Sequence, residues 1–261
     1  MITRFDHVVI GVPDIPDAVA AYKKLGFDVA EGGQHPSIGT RNAIIRFGLD
    51  YIELLAVEDK DQAYASGSFG GEFADAVKNT SGLVAFVLAS DNLDEEAAGL
   101  AAINQSAQGP FAMDRVRPDG RTLSWRLVIP GSSPWRKPWP FLIEWETPDS
   151  ERLSWDFPGT HDNGACGVKG IDLLVDDLSV ARKIYEDAFG MKPAEISESA
   201  IRYQLGDFSL SLNLPTHNEM RSELTAIGPG PFCLALRHKN SGQLPNELPL
   251  DQALGARIKI T

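Results

Sequence analysis

The chain has 261 residues, and its 24 Lys+Arg against 36 Asp+Glu give a net charge of −12 with no basic run, which excludes the phosphate-backbone footprint of a nucleic-acid binder and disfavours anionic membrane surfaces. A composition of 43% hydrophobic and 23% charged residues suits a core built without staples, in one large or two modest domains, and Cys166 and Cys233 are too few for a disulfide framework and too far apart for a CxxC motif. No apolar stretch approaches the ~20 residues of a membrane span, and residues 1–14 lack the pattern of an export leader, so a cytoplasmic location is expected.

Residues 5–12 (FDHVVIGV) read as a buried strand that stops at Pro13-Asp14. Asp14 caps the helix that follows, Pro16 suits its first turn, Gly26 stops it, and Ile15, Ala18, Val19 and Tyr22 share one face. Beyond it come Phe27-Asp28-Val29-Ala30, a loop Gly32-Gly33-Gln34-His35-Pro36, a strand at 41–47, a turn at Gly48-Leu49-Asp50 and a strand at 51–57. That order is βαβββ.

A weaker copy follows: a strand at 83–89, a helix at 93–100 behind Asp91-Asn92, and strands at 111–115, 122–129 and 141–146, the middle two joined by a turn at Pro118-Asp119-Gly120. Residues 148–166 are polar and aperiodic, and are read as a linker between a domain at 1–147 and one at 167–261. In the second domain a strand at 168–175 runs into Asp176-Asp177. From there Asp177, Leu178, Ala181 and Tyr185 repeat the spacing of Asp14, Ile15, Ala18 and Tyr22, and Gly190-Met191 answers Gly26-Phe27 one residue late. Strands at 201–205 and 208–214 flank Gly206-Asp207. A last, incomplete copy is expected from a strand at 232–237, a short helix near 250–254 and a strand at 256–260.

Several residues are candidates for chemistry. His35 sits among Gly, Pro and Ser, where binding residues are often displayed, with Thr40 and Asn42 close behind; substrate contact, acid/base duty, a metal ligand and a plain backbone hydrogen bond are all open to it. Trp125, Trp135, Trp139 and Trp145, interleaved with Arg121, Arg126 and Arg136, suit either a sandwiched flat or anionic molecule or ordinary packing. Gly32-Gly33 belongs to no phosphate cradle, and no nucleophile elbow is present.

The repeated helix pattern D-[IL]-x-x-A-x-x-x-Y-x-x-x-G-[FM], preceded by a strand carrying His and closed by a strand carrying Glu, resembles the vicinal oxygen chelate superfamily of glyoxalase I, extradiol dioxygenases and bleomycin-resistance proteins. GGQHPSIGTRNAI, YIELLAV and PFLIEWE are similar to its glyoxalase-like branch. The resemblance implies an α+β fold of βαβββ units paired into open, incomplete β-barrels with helices outside. It also implies a divalent metal (Mn, Fe, Ni, Co or Zn) held by His7, Glu53 and Glu144, with Ala85 departing from a four-ligand set. Glu53, Glu144 and His35 would then be catalytic, and His35, Thr40, Asn42, Trp125 and Arg126 would bind substrate. Two functions follow from it: a metal-assisted lyase, isomerase or oxygenase acting on a small oxygenated molecule, or a metal-free protein that sequesters a hydrophobic or aromatic compound, as the resistance members do. A dimerising scaffold with a vestigial pocket is a third, and the edges of incomplete units leave a homodimer among the expectations.

Overall fold

A computed structural model describes residues 1–116, 120–240, 242 and 244–261; the expected turn residues Pro118 and Asp119 lie outside them. The first unit consists of β1 (Ile2–Gly11), α1 (Ile15–Lys24), β2 (Ala30–His35), β3 (Thr40–Arg46) and β4 (Tyr51–Val57). The Asp14 side chain caps α1 by accepting the Asp17 N–H, and Ile15, Ala18 and Tyr22 are its buried face. Gly32 and Gly33, expected as loop, instead belong to β2, where the pairing with β3 slips between Glu31 and Gln34. A side chain at 32 would collide with Asn42 on β3, so only glycine lets this edge strand close in.

Two helices without a counterpart in the sequence reading follow, α2 (Lys60–Ala65) and α3 (Ser68–Val77). The second unit is β5 (Gly82–Ser90), α4 (Leu93–Ala102), β6 (Ala107–Val116), β7 (Thr122–Pro130) and β8 (Phe141–Trp145). Its strands join those of the first in one eight-stranded curled sheet of order β2-β3-β4-β1-β5-β8-β7-β6. β1 and β5 pair antiparallel at the centre, each flanked by a parallel partner, β4 and β8, so the two halves are related by a local two-fold.

After α5 (Asp149–Arg152) come β9 (Ala165–Leu174), α6 (Leu178–Lys183), β10 (Pro193–Ile196), β11 (Ala200–Leu205), β12 (Phe208–Asn213), α7 (Asn218–Ile227), β13 (Gly230–His238), β14 (Asn246–Glu247) and β15 (Ile258–Ile260). These strands form a seven-stranded sheet of order β10-β11-β12-β9-β13-β15-β14. α6 runs on through a π-helical turn, Ile184–Ala188. That wider turn absorbs one extra residue and accounts for Gly190 arriving one position later than Gly26. The short helix expected near 250–254 is a run of turns.

One hydrophobic core spans both sheets, from Val8, Ile10 and Phe86 on the convex side of the first to Ile171, Leu173 and Leu234 of the second. The repeated tyrosines clasp it. Tyr22 on α1 donates to the carbonyl of Ala253 (3.0 Å), while Tyr185, its counterpart in the third unit, donates to the carbonyl of Pro138 (2.7 Å). Phe5 and Phe208 stack across the same seam at 4.5 Å. The 148–166 segment is packed too, with Arg152, Asp156 and His161 buried. His161 Nδ1 accepts the Asp28 N–H (3.0 Å), leaving Nε2–H for the Arg46 carbonyl (3.1 Å). Among the described residues no helix is long and apolar enough to cross a membrane.

Because the core is continuous, we expect urea to unfold both sheets in a single transition. Tyr22→Phe and Tyr185→Phe should each cost about 1–3 kcal/mol by leaving a buried carbonyl unpaired, and the double variant should cost their sum. Two separate transitions by tryptophan fluorescence and circular dichroism would show that the sheets fold independently.

Candidate functional site

The concave face of the eight-stranded sheet, covered by α3, encloses about 690 Å³ of atom-free space, including its open side. Its two walls differ. The first half supplies His7 and Val9 from β1, Tyr51, Glu53 and Leu55 from β4, Asn42 from β3 and His35 from β2. The second half supplies Val87, Trp125, Leu127, Phe141, Ile143 and Trp145, with Phe69 of α3 and Trp135 closing one end.

At the polar wall every side chain is held. A bulge in β1 between Phe5 and His7 lets two neighbours in sequence, Asp6 and His7, come together at 2.7 Å. Asp6 is fully buried and also accepts from Arg4 (2.8 Å) and from Trp145 Nε1 (2.8 Å), with Arg152 Nη1 at 3.7 Å. Burial pushes its carboxyl up, but His7, Arg4 and Arg152 outweigh that and hold it below the usual carboxylate range. An ionised Asp6 can only accept, so His7 Nδ1 carries the proton and Nε2 faces the cavity, 3.7 Å from Glu53 Oε2. Tyr51 stacks on His7 at 4.5 Å. Asn42 donates to Glu53 Oε1 and accepts the Gly33 N–H at 2.7 Å. His35 shares a hydrogen bond with Thr40 Oγ1 (3.0 Å); burial first, then the nearby Arg115, lowers its pKa against the opposing pull of Glu53 and keeps the imidazole neutral.

The structure therefore brings His7, Glu53, His35, Asn42 and Trp125 to one cavity and leaves Thr40 behind His35. Glu144 and Arg126 are elsewhere. Glu144 accepts the Leu93 N–H (2.9 Å) at the start of α4 and pairs with Arg126 (2.7 Å), which also reaches Asp94. The cause is strand register. In the first half Val9 lies opposite Glu53, and in the second half Val87, the counterpart of Val9, lies opposite Phe141. Glu144 stands three residues further along β8, and an odd step turns a side chain to the other face. The counterparts of His7 and Glu53 are thus Ala85 and Phe141.

That arrangement tests the expected metal. His7 and Glu53 offer two donors with their other atoms fixed by Asp6 and Asn42, but Phe141 and Ala85 offer none, and among the described residues no group of three His, Cys, Asp or Glu side chains could hold an ion. The donor set falls short of a three-ligand centre. Asp6, Arg4, Arg152 and Arg115 had no place in the sequence reading; the adjacent polar pair Asp6-His7 inside an otherwise apolar strand was the signal for the first of them.

A family model described as "Glyoxalase-like domain" matches residues 5–189. The chain belongs to this family. It shares its fold with solved structures at low identity. A hypothetical protein from Staphylococcus aureus superposes with a TM-score of 0.76 at 17% identity, over 98% of both chains. A triple mutant of 4-hydroxymandelate synthase from Streptomyces coelicolor gives 0.59 at 15%, over 92% of this chain and 72% of that one. A fusion of a xylose isomerase-like TIM barrel with 4-hydroxyphenylpyruvate dioxygenase gives 0.54 at 20%, over 96% of this chain and 40% of the fusion. Comparison with curated proteins gives no match. Within this glyoxalase-like domain β1–β4 carry the polar wall, and β6–β8 carry the aromatic one.

Removing the Asp6 charge should leave Arg4, Arg152 and His7 around an uncompensated site, so Asp6→Asn should cost about 3–5 kcal/mol in urea unfolding. The folded carboxyl lies below its unfolded value near 4, so its contribution is complete above that pH and is lost as the pH falls through and below it. Wild-type stability should drop on acidification in that window, and the drop should be shallower in Asp6→Asn; parallel curves would place the acid sensitivity elsewhere.

Proposed function

We propose that this glyoxalase-like domain binds a small, flat, oxygenated organic molecule in the concave cavity without a resident metal, seating its apolar body on the tryptophan wall and its oxygens on His7, Glu53, Asn42 and His35. The observation that carries this reading is the register of β8, which sets Phe141 where the local two-fold would repeat Glu53 and so gives the cavity one polar and one aromatic wall. Trp125 and Trp145, with ring centroids 5.2 Å apart and planes tilted by 47°, give that wall the aromatic surface that would carry the ligand's body.

The second reading, a metal-assisted lyase, isomerase or oxygenase, is favoured by one observation, the approach of His7 Nε2 and Glu53 Oε2 from partners that fix their orientation. Elemental analysis of purified wild type, His7→Ala and Glu53→Ala separates the two. We expect no stoichiometric metal in any of them, tryptophan quenching by flat aromatic ligands that is unchanged by chelator, and binding weakened about tenfold by Trp125→Ala. A stoichiometric metal present in wild type and lost in both variants would establish the second reading instead.

A further inference from the structure

We propose that Arg115 makes the cavity selective for monocarboxylates, gripping the carboxylate of a flat organic acid whose body lies on Trp125 and Trp145. This rests on the cavity being a ligand site and adds the class of ligand it takes. Arg115 and Met113 project from β6 to the concave face, and the register Met113↔Trp125↔Trp145 runs a row of side chains from β6 across β7 to β8. Arg115 stands one step beyond that row, at the edge where β6 approaches β2. There its stem passes over Gly33: a Cβ at that position would lie 3.2 Å from Arg115 Cδ, closer than side chains normally pack. The glycine leaves the arginine a path into the cavity rim.

The charges complete the case. Arg4, Arg126 and Arg152 all have carboxylate partners, whereas Arg115 forms no ion pair among the described residues. A half-buried guanidinium against an aromatic wall is short of hydration and gains from an anion brought by a ligand. Glu53 does not serve that need, since its Oε1 already accepts from Asn42. With His35 neutral, Arg115 is the cation that the described residues place on the rim; a monoanion pairs with it, while a phosphate dianion brings a second charge that nothing there offsets. The planar fork of the guanidinium matches the two coplanar oxygens of a carboxylate.

The test is tryptophan fluorescence titration of the full chain with naphthoate, naphthamide and naphthyl phosphate, on wild type, Arg115→Met and Arg115→Lys, with folding checked by circular dichroism. Wild type should bind naphthoate about tenfold to a hundredfold tighter than naphthamide, with the phosphate weaker than the carboxylate. Arg115→Met should erase the preference while leaving naphthamide binding in place, and Arg115→Lys should keep part of it. Equal binding of acid and amide by wild type, a preference that survives in Arg115→Met, or tighter binding of the phosphate overturns the assignment to Arg115 and leaves the cavity reading standing. If neither acid nor amide is bound by wild type, the cavity reading fails and this inference fails with it.

Discussion

Asp6 is a carboxylate with no exposure to water and four partners drawn from three separate stretches of chain: Arg4 and His7 beside it on β1, Trp145 at the end of β8, and Arg152 in the segment after the sheet. An unpaired charge there would be untenable, so the partners are obligatory and their positions are fixed together. His7 and Trp145, one on the polar wall and one on the aromatic wall, are therefore set relative to each other by a single group. Arg152 adds to this from behind, its guanidinium 3.8 Å from the centre of the Trp145 ring. Arg4 in turn holds Asp149 through two hydrogen bonds, of 2.7 and 2.8 Å, which ties the start of α5 to the same bracket.

Much of the fold was legible because repetition is a property of sequence. The spacing from Asp14 to Tyr22 and from Asp177 to Tyr185 identified two helices of one kind, and even the late arrival of Gly190 had a structural meaning in the π-helical turn. Of the cavity, His7 and Glu53 came from the family resemblance, His35 and Asn42 from the Gly, Pro and Ser around them and Trp125 from the run of tryptophans, and all five lie on the concave face. Glu144 misled because the facing of a strand residue depends on which neighbour it pairs with, and the β5–β8 register leaves no mark in a five-residue apolar run. The 148–166 segment looked like a linker for a related reason. It is anchored at a few points by ion pairs such as Arg152 with Asp156 and by the two hydrogen bonds of His161, and such anchors have no apolar period to betray them. Arg115 was hidden because its place depends on two sheet edges meeting at Gly33.

The local two-fold of the curled sheet is kept by the backbone and broken by the side chains. Val9 and Val87 are equivalent and both line the cavity, while His7 is answered by Ala85 and Glu53 by Phe141. A symmetric site would present like to like; this one gives a bound molecule a head and a tail. The α3 helix strengthens the difference by placing Phe69 against Trp135 and Phe141, at 5.0 and 5.9 Å, on the aromatic side.

The reciprocal tyrosines carry a consequence for how such a chain can change over time. Tyr22 reaches from the first unit to the turns before β15, and Tyr185 reaches from the third unit to the loop before β8, so each half of the duplicated protein ends a hydrogen bond on the other. A duplicate joined in that way is mechanically indispensable whatever chemistry it retains. Its inward positions are then released from any duty to a ligand, while the helix that clasps its sister stays under constraint. Change in the second sheet is then least restricted away from that seam and most restricted at the tyrosine that closes it.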